Sequence, residues 1–151
     1  MKWKRGFREA LVLLGLAALG AVAVKAFHPY APALYLQNEP LREDEVTVEM
    51  VAERWGEEGV IWIDARQVVE FEAGHIPGAM LLNKQGWTDQ LWEIWSVLEA
   101  GDIPVVVYCD SAACKASREI AERLRQNTGR GEVYTLRGGW EAYRASRSSN
   151  E

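Results

Sequence analysis

Residues 105–117 read VVVYCDSAACKAS, a short apolar run that delivers a cysteine to a loop. The run has the length of a buried strand, and a helical pattern follows over residues 118–126. Loop amides and the N-terminal end of a helix both favour negative charge, so a cysteine placed between them is expected to ionise readily. The stretch therefore predicts a reactive thiolate at Cys109, at the carboxyl end of a strand.

Strand and helix signals alternate along the rest of the 151-residue chain. Strand-like segments are found at 60–63, 79–82, 104–109 and 132–136, and helical patterns at 47–59, 67–72, 87–98, 115–126 and from Trp140 onward. Continuously apolar strands between helices are typical of a parallel sheet covered on both faces. Ligands of such sheets lie at the carboxyl ends of the strands, where Cys109 falls.

The N-terminus carries a membrane-directed pattern. Lys2, Lys4, Arg5 and Arg8 precede an uncharged stretch, Ala10 to Val24. This stretch is shorter than the roughly 20 residues that span a bilayer core, but its apolar flanks make a single spanning helix feasible. The alternative is a signal peptide cleaved near residues 21–23. Positive charge before the segment predicts that the N-terminus stays in the cytoplasm.

These patterns predict five regions in the chain. They are a cytoplasmic basic segment (1–9), a transmembrane signal anchor or signal peptide (10–27), a linker (28–45), a globular domain (46–147) and a disordered tail (148–151). Both interpretations of the N-terminus put the globular domain on the extracytoplasmic, periplasmic side. The domain is membrane-anchored in the first and secreted after cleavage in the second.

Charge and cysteine usage exclude several functions. Residues 28–151 hold 12 Lys and Arg against 21 Asp and Glu, a formal charge of −9 that repels nucleic acid. The two cysteines, Cys109 and Cys114, lie in one loop, and the chain has only two histidines. These few ligands make a structural zinc site very unfavourable. We therefore predict no metal, no cofactor and no nucleic-acid partner.

Four segments in order resemble the rhodanese-like domain family: IDAR at 63–66, FEAGHIPGA at 71–79, the strand ending in Cys109, and LRGGW at 136–140 followed by Tyr143. The resemblance implies a three-layer α/β fold with a central parallel sheet flanked by helices, here preceded by an N-terminal membrane helix. It also implies that Cys109 accepts sulfane sulfur as a persulfide from a small donor such as thiosulfate. The sulfur then passes to a thiol or to cyanide.

The predicted substrate-binding loop departs from the family pattern. It consists of Asp110, Ser111, Ala112, Ala113, Cys114 and Lys115. Active loops in the family commonly carry glycine three residues after the cysteine and arginine five residues after it, where this chain has Ala112 and Cys114. The related cell-cycle phosphatases need an arginine at the sixth place. Lys115 lacks the planar fork that binds phosphate, which disfavours phosphatase activity.

Other residues near the predicted site allow two interpretations each. Cys114 either resolves an oxidised Cys109 by forming a disulfide or is a small residue beneath the loop. Arg66, with Asp64, either adds positive potential near the thiolate or forms a structural ion pair, with Glu72 as one candidate partner. His75 is interpreted as a turn residue rather than a general base.

Two classes of function follow. The first is a sulfurtransferase or persulfide carrier of the cell envelope that uses Cys109. The second is a non-catalytic binding or redox-sensing module that uses the pair Cys109 and Cys114. The altered loop permits the second class, and the retained Cys109 favours the first.

Overall fold

The computed structural model describes residues 40–110 and 115–148. The predicted basic segment 1–9 and membrane segment 10–27 lie outside these ranges, as do loop residues 111–114 and residues 149–151. All described residues belong to the second of the two units into which the chain divides, Asn38–Glu151. No helix in this described part is long and apolar enough to cross a membrane.

Strands and helices alternate along the described chain. The strands are β1 (Glu45–Val46), β2 (Ile61–Asp64), β3 (Met80–Leu81), β4 (Val105–Tyr108) and β5 (Val133–Leu136). The α-helices are α1 (Val48–Arg54), α2 (Val68–Ala73), α3 (Trp87–Glu99), α4 (Ala116–Thr128) and α5 (Gly139–Ser148), and a 3-10 turn covers Glu57–Gly59. The alternation follows the predicted order, with β1 as an addition.

The five strands form one parallel sheet in the order β1-β5-β4-β2-β3. Strand β4 lies at the centre, between β2 and β5, and Asp64 of β2 is in register with Tyr108 of β4. Because all strands run the same way, the carboxyl ends of β2 and β4 lie side by side. This edge of the sheet holds Asp64 and, one residue beyond β4, Cys109.

Helices cover both faces of the sheet. Successive strand residues point to opposite faces, so Val105 and Val107 pack in a core with Ile94 of α3 and Leu124 of α4. On the other face, Val106 and Tyr108 share a second core with residues of α1 and α5. Burial on both faces explains why β4 is continuously apolar, and the predicted three-layer fold is confirmed.

The first strand lies partly inside the predicted linker 28–45, because β1 begins at Glu45. Its main chain pairs with β5, where the Arg137 N–H donates to Val46 O at 2.8 Å. Asp44 continues the connection through an ion pair with Arg125 of α4 at 3.1 Å. Partial burial opposes ionisation of Asp44, but the hydrogen bonds from Arg42 and Arg125 outweigh it and lower the pKa of the carboxyl. The domain boundary therefore lies before Asp44.

The last helix extends into the predicted disordered tail 148–151. Helix α5 ends at Ser148, whose Oγ donates to Ala145 O at 3.0 Å. Its core contact is Tyr143, 4 % exposed, which packs edge-on against Trp62 of β2. Packing of this kind stabilises a helix to its last turn, which a sequence pattern defines only approximately.

Candidate active site

Cys109 lies at the carboxyl end of the central strand and is 2 % exposed. Its neighbour Tyr108 is fully buried, and the Tyr108 carbonyl accepts a hydrogen bond from the Ala65 N–H at 2.8 Å. The strand end is thus held by its partner β2 up to the residue before the cysteine. Cys109 is therefore placed by rigid sheet structure rather than by the loop that follows it.

The first turn of α5 holds the start of the loop from the other side. The Trp140 N–H donates to Cys109 O at 2.7 Å, and the Glu141 N–H donates to Asp110 O at 3.1 Å. This approach requires Gly139, which has a φ of +56° and whose absent Cβ would clash with the Cys109 carbonyl oxygen. Gly138, with a φ of +76°, precedes Gly139 in the same turn.

Ser117, in the first turn of α4, contacts the sulfur. Its Oγ lies 3.4 Å from Cys109 Sγ, and the residue is 5 % exposed. The hydroxyl can donate a hydrogen bond to this sulfur, which would stabilise an anion there. Sequence reasoning missed Ser117. The available signal was its spacing, because Ser117 shares a helix face with the buried Ile120, Ala121 and Leu124.

Cys109 is disulfide-bonded in this structure. The sequence contains two cysteines, and the other one, Cys114, lies outside the described residues together with Ser111, Ala112 and Ala113. A disulfide-bonded sulfur is not a nucleophile, so reduction must precede any chemistry that begins from a Cys109 thiolate.

A cavity of about 280 Å³ lies against Cys109. Its walls come from the residues after β2, the loop between β3 and α3, and the first turn of α4. The polar and charged lining residues are Arg66, Gln67, Glu70, Lys84, Gln85, Asp110 and Glu119. Apolar contacts come from Ala65, Ala116 and Ile120. The site thus combines a cysteine at its base with side chains that can orient a small polar molecule.

The sequence of this domain matches a known protein family. The model of the rhodanese-like domain family matches residues 47–146, about two thirds of the chain. The chain belongs to the rhodanese-like family. The matched range runs from the N-cap of α1 into the last turn of α5. Of the described elements, this rhodanese-like domain therefore contains α1 to α4, most of α5 and the strands β2 to β5.

One curated protein is similar to this chain in sequence, and solved structures are similar to it in fold. An HTH-type transcriptional regulator of Mycobacterium tuberculosis is 33% identical over 102 residues, which cover 68% of this chain and 42% of the regulator. A Bacillus halodurans protein of known crystal structure superposes with a TM-score of 0.53 at 23% identity, covering 68% of this chain and 72% of that one. A rhodanese-related protein from Thermoplasma volcanium gives 0.52 at 20% identity over 68% and 91%. These structures show the shared fold.

Arg66 of the rhodanese-like domain forms a buried ion pair. Its Nη2 lies 2.7 Å from Asp64 Oδ2, and the two residues are 7 % and 0 % exposed. The candidate partner Glu72 was wrong, because Asp64 lies at the strand end facing the guanidinium whereas Glu72 is exposed on α2. Burial opposes the charge on Arg66, but the Asp64 hydrogen bonds outweigh it and raise the arginine pKa. Arg66 also donates to Gly74 O at 2.7 Å and stacks over Trp140.

The turn between α2 and β3 has a structural role. His75 stacks on Phe71 with ring centroids 3.9 Å apart, and its Nδ1 is 2.8 Å from Phe71 O. His75 is not among the lining residues of the cavity. The Tyr108 hydroxyl accepts a hydrogen bond from the Ile76 N–H at 3.1 Å, and burial together with the nearby Asp64 raises the pKa of this tyrosine. The turn is thus fastened to the central strand, as expected of structural residues.

The structure describes the first and last residues of the predicted substrate loop, and only the first of them lines the cavity. Asp110 lines the cavity, whereas Lys115 is the exposed N-cap residue of α4 and is not among the lining residues. The structure adds Lys84 and Glu119, which sequence reasoning did not select. Within residues 40–110 and 115–148, no three His, Cys, Asp or Glu side chains are grouped to hold a metal ion.

Proposed function

We propose that this protein is a sulfurtransferase or persulfide carrier of the cell envelope, with Cys109 as the residue that accepts and passes on sulfane sulfur. The observation that carries the proposal is the placement of Cys109, at the end of the central strand and at the base of a cavity of about 280 Å³. Membership of the rhodanese-like family supports a persulfide-related role in general terms.

The proposed reaction begins from reduced Cys109. Its thiolate attacks the outer sulfur of thiosulfate, the sulfur–sulfur bond of the donor breaks, and sulfite leaves with the bonding electron pair. The product is an anionic Cys109 persulfide, which the Ser117 hydroxyl is positioned to stabilise. An acceptor then attacks the outer sulfur and releases the Cys109 thiolate. With cyanide the product is thiocyanate.

A direct test uses mass spectrometry and one assay on the reduced full chain. Exposure to thiosulfate should convert the Cys109 thiol to a persulfide, which adds one sulfur atom, about 32 Da, to the peptide that contains Cys109. Thiocyanate formation should disappear in Cys109→Ser and persist in Cys114→Ser, the matched control within the same loop. Thiocyanate formation that persists in Cys109→Ser would refute the proposal. Its absence from the wild type and from both variants would refute it as well.

A redox-sensing role is the second candidate, favoured by the disulfide at Cys109. In this case the Cys109 thiolate attacks one oxygen of hydrogen peroxide, the oxygen–oxygen bond breaks, and hydroxide leaves, so that Cys109 becomes a sulfenic acid. We propose that the Cys114 thiol then attacks the sulfenic sulfur and releases water to form the disulfide. Peroxide treatment of the reduced chain should remove two hydrogens in the wild type and leave a sulfenic acid in Cys114→Ser. An identical peroxide response in both proteins would remove Cys114 from this role.

We also propose that the N-terminal segment tethers the domain to a membrane, with the domain on the periplasmic side. The uncharged run Ala10 to Val24 and the basic residues before it support this placement. Secretion after cleavage remains the alternative proposal. Thiosulfate- or persulfide-type donors and thiol acceptors of that compartment would then be the partners.

A further inference from the structure

The cavity over Cys109 is lined by more acidic than basic groups. Its cations are Arg66 and Lys84, and its anions are Glu70, Asp110 and Glu119. Arg66 is already neutralised by the buried Asp64, which does not line the cavity. Residues 111–114, outside the described part, contain no Lys, Arg, Asp, Glu or His. A molecule that enters the cavity therefore meets a net negative surface.

The remaining lining cation is engaged by a carboxylate. Lys84 Nζ lies 2.8 Å from Glu119 Oε1, and the two side chains are 68% and 48% exposed. The pair joins the loop after β3 to the first turn of α4, and both residues line the cavity that Cys109 also lines. The Lys84 ammonium lowers the pKa of Glu119, so Glu119 is ionised at neutral pH. Glu119 thus forms an ion pair with Lys84 at the cavity.

We propose that Glu119, through its pairing with Lys84, makes the cavity select sulfur acceptors by charge, and that the preferred acceptor is a thiol that carries an ammonium group. This inference rests on the proposed sulfur transfer. An ammonium group is attracted by Glu70, Asp110 and Glu119. A carboxylate on the acceptor is repelled by the same groups, and Lys84 can bind it only by leaving Glu119. Thiols with a negative charge are therefore poor acceptors.

The transfer step is the same for every thiol acceptor. The acceptor thiolate attacks the outer sulfur of the Cys109 persulfide and forms a new sulfur–sulfur bond. The bond between Cys109 and that outer sulfur breaks, and Cys109 leaves as a thiolate with the bonding pair. One persulfide is consumed and one is formed, so no external oxidant or reductant is needed. The same surface acts on anionic donors such as thiosulfate, so the acceptor step is measured separately, on protein already loaded with sulfur.

Three thiols of nearly equal size separate charge from shape. They are 2-aminoethanethiol (cationic), 2-mercaptoethanol (neutral) and 3-mercaptopropionate (anionic). The full chain is reduced, loaded with thiosulfate or with inorganic polysulfide, and mixed with each thiol in single-turnover experiments. Loss of one sulfur from Cys109, followed by mass spectrometry, gives a second-order rate constant. Intrinsic thiol reactivity cancels when each variant is compared with the wild type.

The variants change one charge at a time. Glu119→Gln removes the carboxylate and releases Lys84, so the rate ratio of cationic to anionic thiol should fall about tenfold. Lys84→Gln leaves Glu119 unpaired, so the same ratio should rise about threefold, an effect reduced by solvent exposure. Glu122→Gln is the matched control. Glu122 lies one turn further along α4, pairs with Arg125 and does not line the cavity.

Opposite shifts in Glu119→Gln and Lys84→Gln, with no shift in Glu122→Gln, support the inference. If the ion pair only fastens the loop to α4, both variants will change all three rates by the same factor. An unchanged rate ratio in both variants overturns the inference. Failure to form any persulfide on wild-type Cys109 is a separate result and refutes the proposed function itself.

Discussion

The Ser117 hydroxyl contacts the sulfur of Cys109 at 3.4 Å. A buried hydroxyl usually bonds a carbonyl of the preceding helical turn, but Ser117 lies in the first turn of α4, where no such carbonyl precedes it within the helix. The distance of 3.4 Å places this hydroxyl within hydrogen-bonding reach of the sulfur. In the reduced protein it can donate to a thiolate and, after loading, to a persulfide.

Replacing Ser117 by alanine should make the Cys109 thiolate harder to form. A hydrogen bond to a charged group contributes about 1.5–3 kcal/mol, and one pKa unit corresponds to about 1.4 kcal/mol. In fully reduced protein, the pH midpoint for alkylation of Cys109 by iodoacetamide should rise by about one unit in Ser117→Ala. It should return towards the wild-type value in Ser117→Thr. Site-resolved mass spectrometry separates this reaction from alkylation of Cys114.

The control for this measurement is Thr128→Ala. Thr128 is in the last turn of the same helix and donates through Oγ1 to Leu124 O at 2.7 Å, far from the sulfur in sequence. Its loss tests whether weakening α4 is enough to change the alkylation midpoint. Equal midpoints in Ser117→Ala and wild type, with both proteins folded by circular dichroism, would show that the hydroxyl does not stabilise the thiolate.

The buried pair of Asp64 and Arg66 shows that a charged residue beside a site need not add net charge to it. Arg66 lines the cavity, so its guanidinium was a candidate source of positive potential for the thiolate. Its Nε and Nη2 groups instead donate to Asp64, and Nη2 also donates to Gly74 O. The neutralised pair supports the β2 end and the turn after α2, and it contributes little net charge to the site.

At the scale of elements, the N-terminal turn of α5 determines where the loop starts. Two of its main-chain N–H groups donate to Cys109 O and Asp110 O. These groups have no acceptors within their own helix, so their pairing with the loop satisfies both partners. The arrangement couples the position of the cysteine to the packing of α5 through Tyr143.

Gly139→Ala should disrupt this coupling. The positive φ of Gly139 costs alanine about 1–2 kcal/mol, and the clash of the new Cβ with Cys109 O adds about 1–3 kcal/mol. The free energy of unfolding in urea should therefore fall by about 2–5 kcal/mol. Sulfur transfer by the fraction that remains folded should fall as well, because the Cys109 carbonyl must move.

Gly129 is a matched control for the backbone strain alone. It ends α4 with a φ of +69°, and a Cβ there would meet nothing within 4 Å. Gly129→Ala should thus cost only about 1–2 kcal/mol and leave sulfur transfer per folded molecule unchanged. Equal losses of stability and activity in the two variants would contradict a special role for the contact between Gly139 and Cys109.

Comparison of the elements also shows which parts of the fold the sequence predicts. Strands β2 and β4 are continuous apolar runs, and helices α3 and α4 are long enough to show apolar periodicity, so the sequence predicts all four elements. Cys109 lies at the strand end where the sequence predicts it. Strand β1 has two residues and no period, and its existence depends on pairing with β5, which is remote in sequence. Lys84 and Glu119 meet across 35 positions, so only the folded chain brings them together. Pair contacts of this kind carry no local signal.

At the scale of the whole molecule, charge is distributed unevenly along the chain. Four of the first eight residues are basic, whereas residues 28–151 carry a formal charge of −9. The acidic part is not expected to adhere to anionic lipid, so attachment to a membrane would depend on the apolar run rather than on the domain surface. The orientation of that run is the property that decides in which compartment Cys109 reacts.

The orientation can be tested with the full chain in a bacterial host. Alkaline phosphatase fused to the C-terminus should be active, because this reporter functions only outside the cytoplasm, and a green fluorescent protein fusion should be dim. Changing Lys2, Lys4, Arg5 and Arg8 to Glu should reverse this pattern in a large fraction of molecules, since positive flanking charge sets orientation. Exchanging Lys and Arg at the same four positions conserves charge and should change nothing. Bright fluorescence in the wild-type fusion would place the domain in the cytoplasm, and the mass of the mature chain distinguishes an uncleaved anchor from a product that begins near residue 24.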